Sequence, residues 1–306
     1  MVGGIQWEAV MKVFLSPEDW MSLGIKRVAT ALVRYKPSDV LLVNKQEEAD
    51  HVIVHMVGDG QRKHWINPQQ EYSCIQYCLR TTELPNTKDW VEVWGRAKAV
   101  WSYYDLKSKI AEDLYSMPHT FDEQFPMNFY YAPLGVDGNV FKPNMPVRKP
   151  FLIGTSGYIA ATECVDTVHR VCVERLQRMQ FHLGPNLNLG AYVTYANSIP
   201  DEIVSEFWAQ CSFVAGLRAI EGFELPVLEG LACGARPIVF NAPHYTHWFG
   251  EHAEVIPEDR NPDAVEAALY DIMSRPVRSV SVAEQREIVK KFNWEPLAKG
   301  FWEAIR

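Results

Sequence analysis

The sequence predicts an α/β protein made of two parallel-sheet domains, and three observations carry that prediction. Short apolar runs alternate with stretches of helical periodicity, the order that lays down parallel strands covered on both faces. The 306 residues suffice for two domains of ordinary size. A segment rich in Pro, Asn and Gly, 125–150, separates the two sets of runs and reads as their connection.

Each element follows in order. Met11-Lys12-Val13-Phe14-Leu15 reads as a first strand that ends at Ser16-Pro17. Gly24 opens a helix whose apolar positions Val28, Leu32 and Val33 recur at helical spacing. Val40-Leu41-Leu42-Val43, the run 51–57 and the run 97–102 read as further strands. The second set opens with strand Phe151-Leu152-Ile153-Gly154. Ile203, Phe207 and Cys211 mark one face of a helix, and Val265, Leu269 and Ile272 that of another. Neither an internal repeat nor a low-complexity tract occurs.

Composition excludes several classes of function. No apolar run is long enough to span a bilayer, and the first eight residues lack the basic-then-apolar order of a signal peptide. The six cysteines are scattered without a second pair to match Cys74 and Cys78, so free thiols in a reducing cytosol are expected and zinc is not. A formal charge of −8, with 15 Lys and Arg against 18 Asp and Glu over 1–147, argues against electrostatic capture of nucleic acid or anionic lipid. Trp90, Trp94, Trp101, Tyr103 and Tyr104 interleave with Lys88, Arg96, Lys98, Lys107 and Lys109. That pattern fits either a stacking surface for nucleic acid or a core with snorkelling lysines. His244 and His247 lack a third metal ligand at a telling distance and read as polar loop residues.

One segment carries chemistry. Glu221-Gly222-Phe223-Glu224-Leu225-Pro226-Val227-Leu228-Glu229 places two carboxylates eight positions apart around a turn and the start of a helix. Gly222 lets the backbone approach a ligand, and Pro226 suits the first helical position. The amides of that first turn, at the positive end of the helix dipole, suit a diphosphate. Glu221 and Glu229 are placed to grip groups on either side of it. Gly234 ends the helix, and Arg236-Pro237-Ile238-Val239-Phe240 reads as a buried parallel strand. An ordinary loop, helix and strand with two solvated glutamates is the competing reading.

The segment resembles the Glu–seven residues–Glu pattern of retaining GT-B glycosyltransferases, the group that includes glycogen-synthase-like and sucrose-synthase-like enzymes. Ser198 to Val214, Asn261-Pro262-Asp263-Ala264-Val265, Lys291-Phe292-Asn293-Trp294, and Tyr131 to Asp137 with Phe141-Lys142-Pro143 are similar to other stretches of that family. The resemblance covers roughly 129–300. It implies two Rossmann-like domains facing across a cleft. Residues 1–147 would bind acceptor, 148–294 would bind nucleotide sugar, and the helix of 295–306 would cross back to the first domain. It further implies that Glu229 binds the nucleotide ribose, that Glu221 with the backbone of Gly222, Phe223 and Glu224 holds the sugar, and that Leu225 and Pro226 lie beside the diphosphate. Retention of configuration without a protein nucleophile belongs to the family and not to this spacing. Gly24 matches the family's glycine loop, or is an ordinary turn glycine. Glu83 lies where the family carries a group near the acceptor hydroxyl, or is a solvated carboxylate.

One departure stands out. The family places Arg and Lys in the loop after the first strand of the second domain, whereas 154–163 contains no base. Arg218 is the candidate substitute, with hydroxyls from Thr155 and Ser156; a surface arginine paired with Glu224 or Glu251 is the alternative. The resemblance thus leads to a cytoplasmic glycosyltransferase, without metal or cofactor, that takes a UDP- or GDP-sugar and leaves UDP or GDP as product. Its acceptor would be a hydroxyl of a saccharide, a small metabolite or a hydroxymethylated DNA base. No integral membrane association is expected. A nucleotide-sugar epimerase and a catalytically silent nucleotide-sugar-binding protein are the alternatives.

Overall fold

The computed structural model describes residues 10–16, 23–57, 66–77, 93–108, 128–142, 153–157, 164–184, 193–195, 199–218, 223–259 and 261–306. The chain divides into two compact units, Met1–Ala132 with Glu295–Arg306, and Pro133–Trp294.

The first unit is built on β1 (Met11–Leu15), β2 (Val40–Leu42), β3 (His51–Val57), β4 (Glu71–Tyr77), β5 (Val100–Ser102) and β6 (Phe129–Tyr131), in the order β2-β1-β3-β4-β5-β6. Every pairing is parallel. Helix α1 (Leu23–Arg34) turns Ile25, Val28, Ala29 and Leu32 into the core, the i, i+3, i+4, i+7 stripe of an amphipathic helix. Val33, expected on that face, falls outside the stripe and is 45 % exposed. β4 and β6 do not stand out in the sequence; β6 lies inside the segment read as a connection.

The aromatic residues around β5 are core. Trp94, Trp101, Tyr103 and Tyr104 are all buried, and the indole N–H groups of Trp94 and Trp101 donate to Gln76 Oε1 (3.3 Å) and the Ala132 carbonyl (3.1 Å). Rings committed in this way offer no stacking surface, which removes the structural motive for a DNA acceptor; Trp90 lies outside the described residues. The C-terminal helix, Trp294–Ala304, packs on the same unit. Its Trp302 is fully buried and donates to the Leu32 carbonyl at 3.1 Å, and its Phe301 ring lies 5.3 Å from that of Trp101.

The second unit repeats the principle with β7 (Ile153–Ser156), β8 (Gln180–Gly184), β9 (Val193–Tyr195), β10 (Phe213–Gly216), β11 (Arg236–Phe240) and β12 (Glu254–Ile256). Its all-parallel order is β12-β11-β10-β7-β8-β9. From β7 the chain proceeds outward through β8 and β9, then returns to lay β10 on the opposite side of β7. The direction of winding therefore reverses between β7 and β10. In a doubly wound sheet the crevice beyond the carboxyl ends of such strands is where ligands bind.

Helices α2 (Val165–His169), α3 (Asp201–Gln210), α4 (Leu225–Ala232), α5 (Pro243–Phe249), α6 (Pro262–Ser274) and α7 (Val282–Lys291) belong to this unit. Val265, Leu269 and Ile272 of α6 are buried as the periodicity indicates, whereas on α3 Ile203 is 48 % exposed and the core stripe runs through Val204, Phe207 and Trp208. Helix α4 lies very close to the sheet: a Cβ on Gly230 would sit 2.8 Å from Val214 Cβ. Gly230→Ala is thus expected to lose about 1–2 kcal/mol net, since overpacking outweighs a helix-propensity gain of about 1 kcal/mol; urea unfolding measures it.

Candidate ligand-binding site

The switch point is lined from three directions. Ser156 ends β7, and Arg218 lies two residues beyond β10, which ends at Gly216. Glu224 caps the start of α4. Alternation along β7 turns Thr155 and Ser156 to opposite faces, and the strand extends two residues past the end indicated by sequence, so both belong to it rather than to the following loop.

Arg218 ties these elements together. Its Nη2 donates to the Ser156 carbonyl at 2.8 Å and reaches the Ser156 hydroxyl at 3.3 Å. Its Nε lies 3.3 Å from Glu224 Oε2, an ion-pair contact that falls short of hydrogen-bond geometry. The side chains are 12 % and 1 % exposed, so Arg218 is an interior residue and not a surface one. Tyr245 of α5 holds the other carboxylate oxygen: its hydroxyl donates to Glu224 Oε1 at 2.8 Å, shorter than its 3.3 Å approach to the Arg218 carbonyl. The cation and the carboxylate are the pair foreseen for Arg218, now placed at the ends of two strands.

The helix start differs from the sequence reading. Helix α4 begins at Leu225, so Pro226 is its second residue and Glu229 its fifth, one turn in. Pro226 has no amide hydrogen, and Val227 and Leu228 both donate to the Glu224 carbonyl at 3.0 and 3.2 Å. Leu225 is the first-turn residue whose amide precedes those bonds, so the helix offers fewer open donors than a first turn usually does. Glu229 is 2 % exposed, and its Oε2 accepts from Trp208 Nε1 at 3.3 Å. Phe223 is fixed by aromatic contact, with its ring 5.0 Å from Phe249 and 6.2 Å from Phe292.

Thr155 faces inward. Its Oγ1 lies 3.2 Å from the Phe181 carbonyl, 3.1 Å from His182 Nδ1 and 3.2 Å from Gln180 Nε2, and the residue is 2 % exposed. The hydroxyl expected to face a ligand is therefore spent inside the sheet. Gly24 lies in the first turn of α1 in the other unit and is half-buried. Glu221, Gly222, Glu83 and residues 158–163 lie outside the described residues.

Sequence reasoning missed Tyr245, Trp208 and His182. Tyr245 had a signal: Tyr245, Trp248 and Phe249 recur at i, i+3 and i+4 after Pro243, which marks the helix that α5 is. His244 and His247 therefore sit on a helix and not in a loop, and among the described residues no cluster of His, Cys, Asp and Glu could hold a metal. Burial, aided by the nearby Arg218 charge, lowers the His182 pKa to about 4. Burial likewise lowers His51 in the first unit to about 4. Both folded-state values lie below the ordinary 6.5, so the unfolded chain binds protons that the folded chain refuses. Stability is full above pH 6.5 and is lost as pH falls toward 4, by about 3 kcal/mol for each residue. Urea unfolding between pH 7 and 4.5 is expected to show this slope, and His182→Asn to remove its share.

No protein-family model matches the sequence. Over 105 residues, 34 % of this chain, it is 26 % identical to the O-antigen chain mannosyltransferase B of Escherichia coli, a match that spans 27 % of that protein. Among solved structures, the sucrose-phosphate synthase of Thermosynechococcus elongatus superposes with a TM-score of 0.62 at 15 % identity, over 84 % of this chain and 73 % of that one. A pneumococcal O-GlcNAc transferase in complex with UDP and GlcNAc gives 0.60 at 13 % identity, over 91 % and 59 %. An Escherichia coli structure described as trehalose-6-phosphate bound with UDP-2-fluoro glucose gives 0.61 at 9 % identity, over 96 % and 98 %. The chain has the GT-B glycosyltransferase fold.

Proposed function

We infer that a chain with this fold is a glycosyltransferase that takes its sugar from a nucleoside-diphosphate donor. The observation that carries the reading is the position of Arg218. It is an interior cation beyond the carboxyl ends of β7 and β10, beside the start of α4, where the winding of the sheet reverses. A departing nucleoside diphosphate gathers charge on its phosphate oxygens, and a fixed guanidinium stabilises that charge more than it does the bound donor. Glu229, close by on α4, would hold the ribose, and Glu221 with Gly222 the sugar. The finer reading is a retaining, metal-independent transfer from a UDP- or GDP-sugar to a hydroxyl acceptor. No described helix is long and apolar enough to cross a membrane, and the five described cysteines are unbridged; a cytoplasmic setting fits the latter.

The test is thermal shift with UDP, GDP, ADP and dTDP, followed by mass spectrometry of the protein incubated with matching nucleotide sugars and a panel of hydroxyl acceptors. One nucleotide is expected to raise Tm through preferential binding to the folded state, and mass to move from donor to acceptor. No shift with any nucleotide defeats the reading. A second reading has its own observation: the charge of Arg218 is already matched by Glu224. Binding without transfer or donor hydrolysis would identify a silent nucleotide-sugar-binding protein.

A further inference from the structure

We propose that Glu224 is a positioning residue that acts through Arg218: its carboxylate is an internal competitor which a ligand phosphate displaces from the guanidinium. The inference rests on the donor site described above and goes beyond it by naming what sets the affinity of that site.

The geometry has three parts. First, the carboxylate is held on the cation beside the helix start and not on the helix amides. Glu224 is the residue that caps α4, its side chain makes no bond to the helix amides, and both oxygens turn toward Arg218 and Tyr245 instead. Second, the contact with Arg218 is imperfect. Nε and Oε2 are 3.3 Å apart without hydrogen-bond alignment, whereas Nη2 makes a 2.8 Å bond to the Ser156 carbonyl. A guanidinium is used best when two oxygens of one anion take two of its N–H groups in parallel, and a phosphate can do so where this carboxylate does not. Third, Tyr245 supplies a second resting place. Its hydroxyl holds Oε1 at 2.8 Å, so the carboxylate can keep that bond while Oε2 moves off the cation. A carboxylate and a phosphate 3–4 Å apart on one cation repel, and burial magnifies the repulsion. Glu224 therefore keeps Arg218 neutralised and ordered in the empty protein and weakens the grip on phosphate.

The variant that decides the matter is Glu224→Gln. Glutamine keeps the size of the side chain and removes the negative charge; with its amide oxygen toward Arg218, its Nε2 can donate to the Tyr245 hydroxyl. Titration calorimetry on the full chain, with whichever of UDP, GDP, ADP or dTDP stabilises the wild type most, is expected to give binding about tenfold tighter than wild type. The Tm rise at saturating nucleotide is expected to be larger in the variant, even though its empty form melts lower. A role confined to structure would lower the empty Tm and leave affinity unchanged or weakened, and either of those affinities in a folded variant overturns the inference. If Glu224→Gln does not fold, Glu224→Ser decides. Serine is favoured at a helix N-cap and also removes the negative charge, so binding tighter than wild type is again expected; equal or weaker binding overturns the inference. Wild type that binds none of the four nucleotides defeats the donor-site reading itself, and the inference falls with it.

Discussion

Replacing Arg218 with Met is expected to abolish nucleotide binding and to cost about 3–5 kcal/mol of stability. The stability loss follows because Glu224 would keep a carboxylate in a site 1 % exposed with its cation gone. Binding is expected to fail for a separate reason: in the proposed donor site the phosphate loses its cation. The double variant Arg218→Met with Glu224→Gln pulls the two effects apart. Removing both charges from a buried pair is close to neutral, whereas removing one is not. Urea unfolding of the double variant should therefore recover most of the lost stability, while calorimetry with the preferred nucleotide still detects no binding. Recovery of binding along with stability would show that Arg218 serves packing alone.

Trp302→Ala is expected to cost about 3–5 kcal/mol. Trp302 is fully buried, its N–H meets the Leu32 carbonyl, and it lies beside Phe301 on the helix that carries the chain back to the first unit. Truncation leaves a cavity and an orphaned carbonyl together. A calorimetric melt of the whole chain should show the first unit unfolding earlier, with nucleotide-induced stabilisation of the second unit retained. A loss below about 1 kcal/mol would mean that the helix is loosely held.

The strands that could be read ahead of the structure were the ones with an unbroken apolar run. β1, β3 and β11 appear with the boundaries that the sequence suggests, because each holds at least three consecutive apolar residues of the kind a buried parallel strand needs. β4 and β8 escaped notice for the converse reason. Glu71, Ser73 and Gln76 in one, and Gln180 and His182 in the other, break the apolar run, and several of them find partners far along the chain, such as Ser73 with His51 and Gln180 with Thr155. Helix faces were legible to within one position. Val33 and Ile203 were placed inward because neighbouring periodic positions look alike in a chain this apolar, and the angle of a helix on its sheet settles which of them face solvent.

The candidate site divides in the same way. Local order around the turn and helix of 221–234, with its proline start and glycine end, is written in consecutive residues, since caps and turns act over three or four positions. That Arg218 would find Glu224 was foreseeable from six residues' separation. That the pair would be interior, that Tyr245 would hold its far oxygen, that Thr155 would face His182 and that Trp208 would cover Glu229 was not. Those contacts join residues 21 to 27 positions apart, through neighbouring strands and the helices packed on them. A local pattern can specify which groups are available, but burial and partner choice depend on which strand lies next to which, and that is fixed by the sheet order of the folded unit.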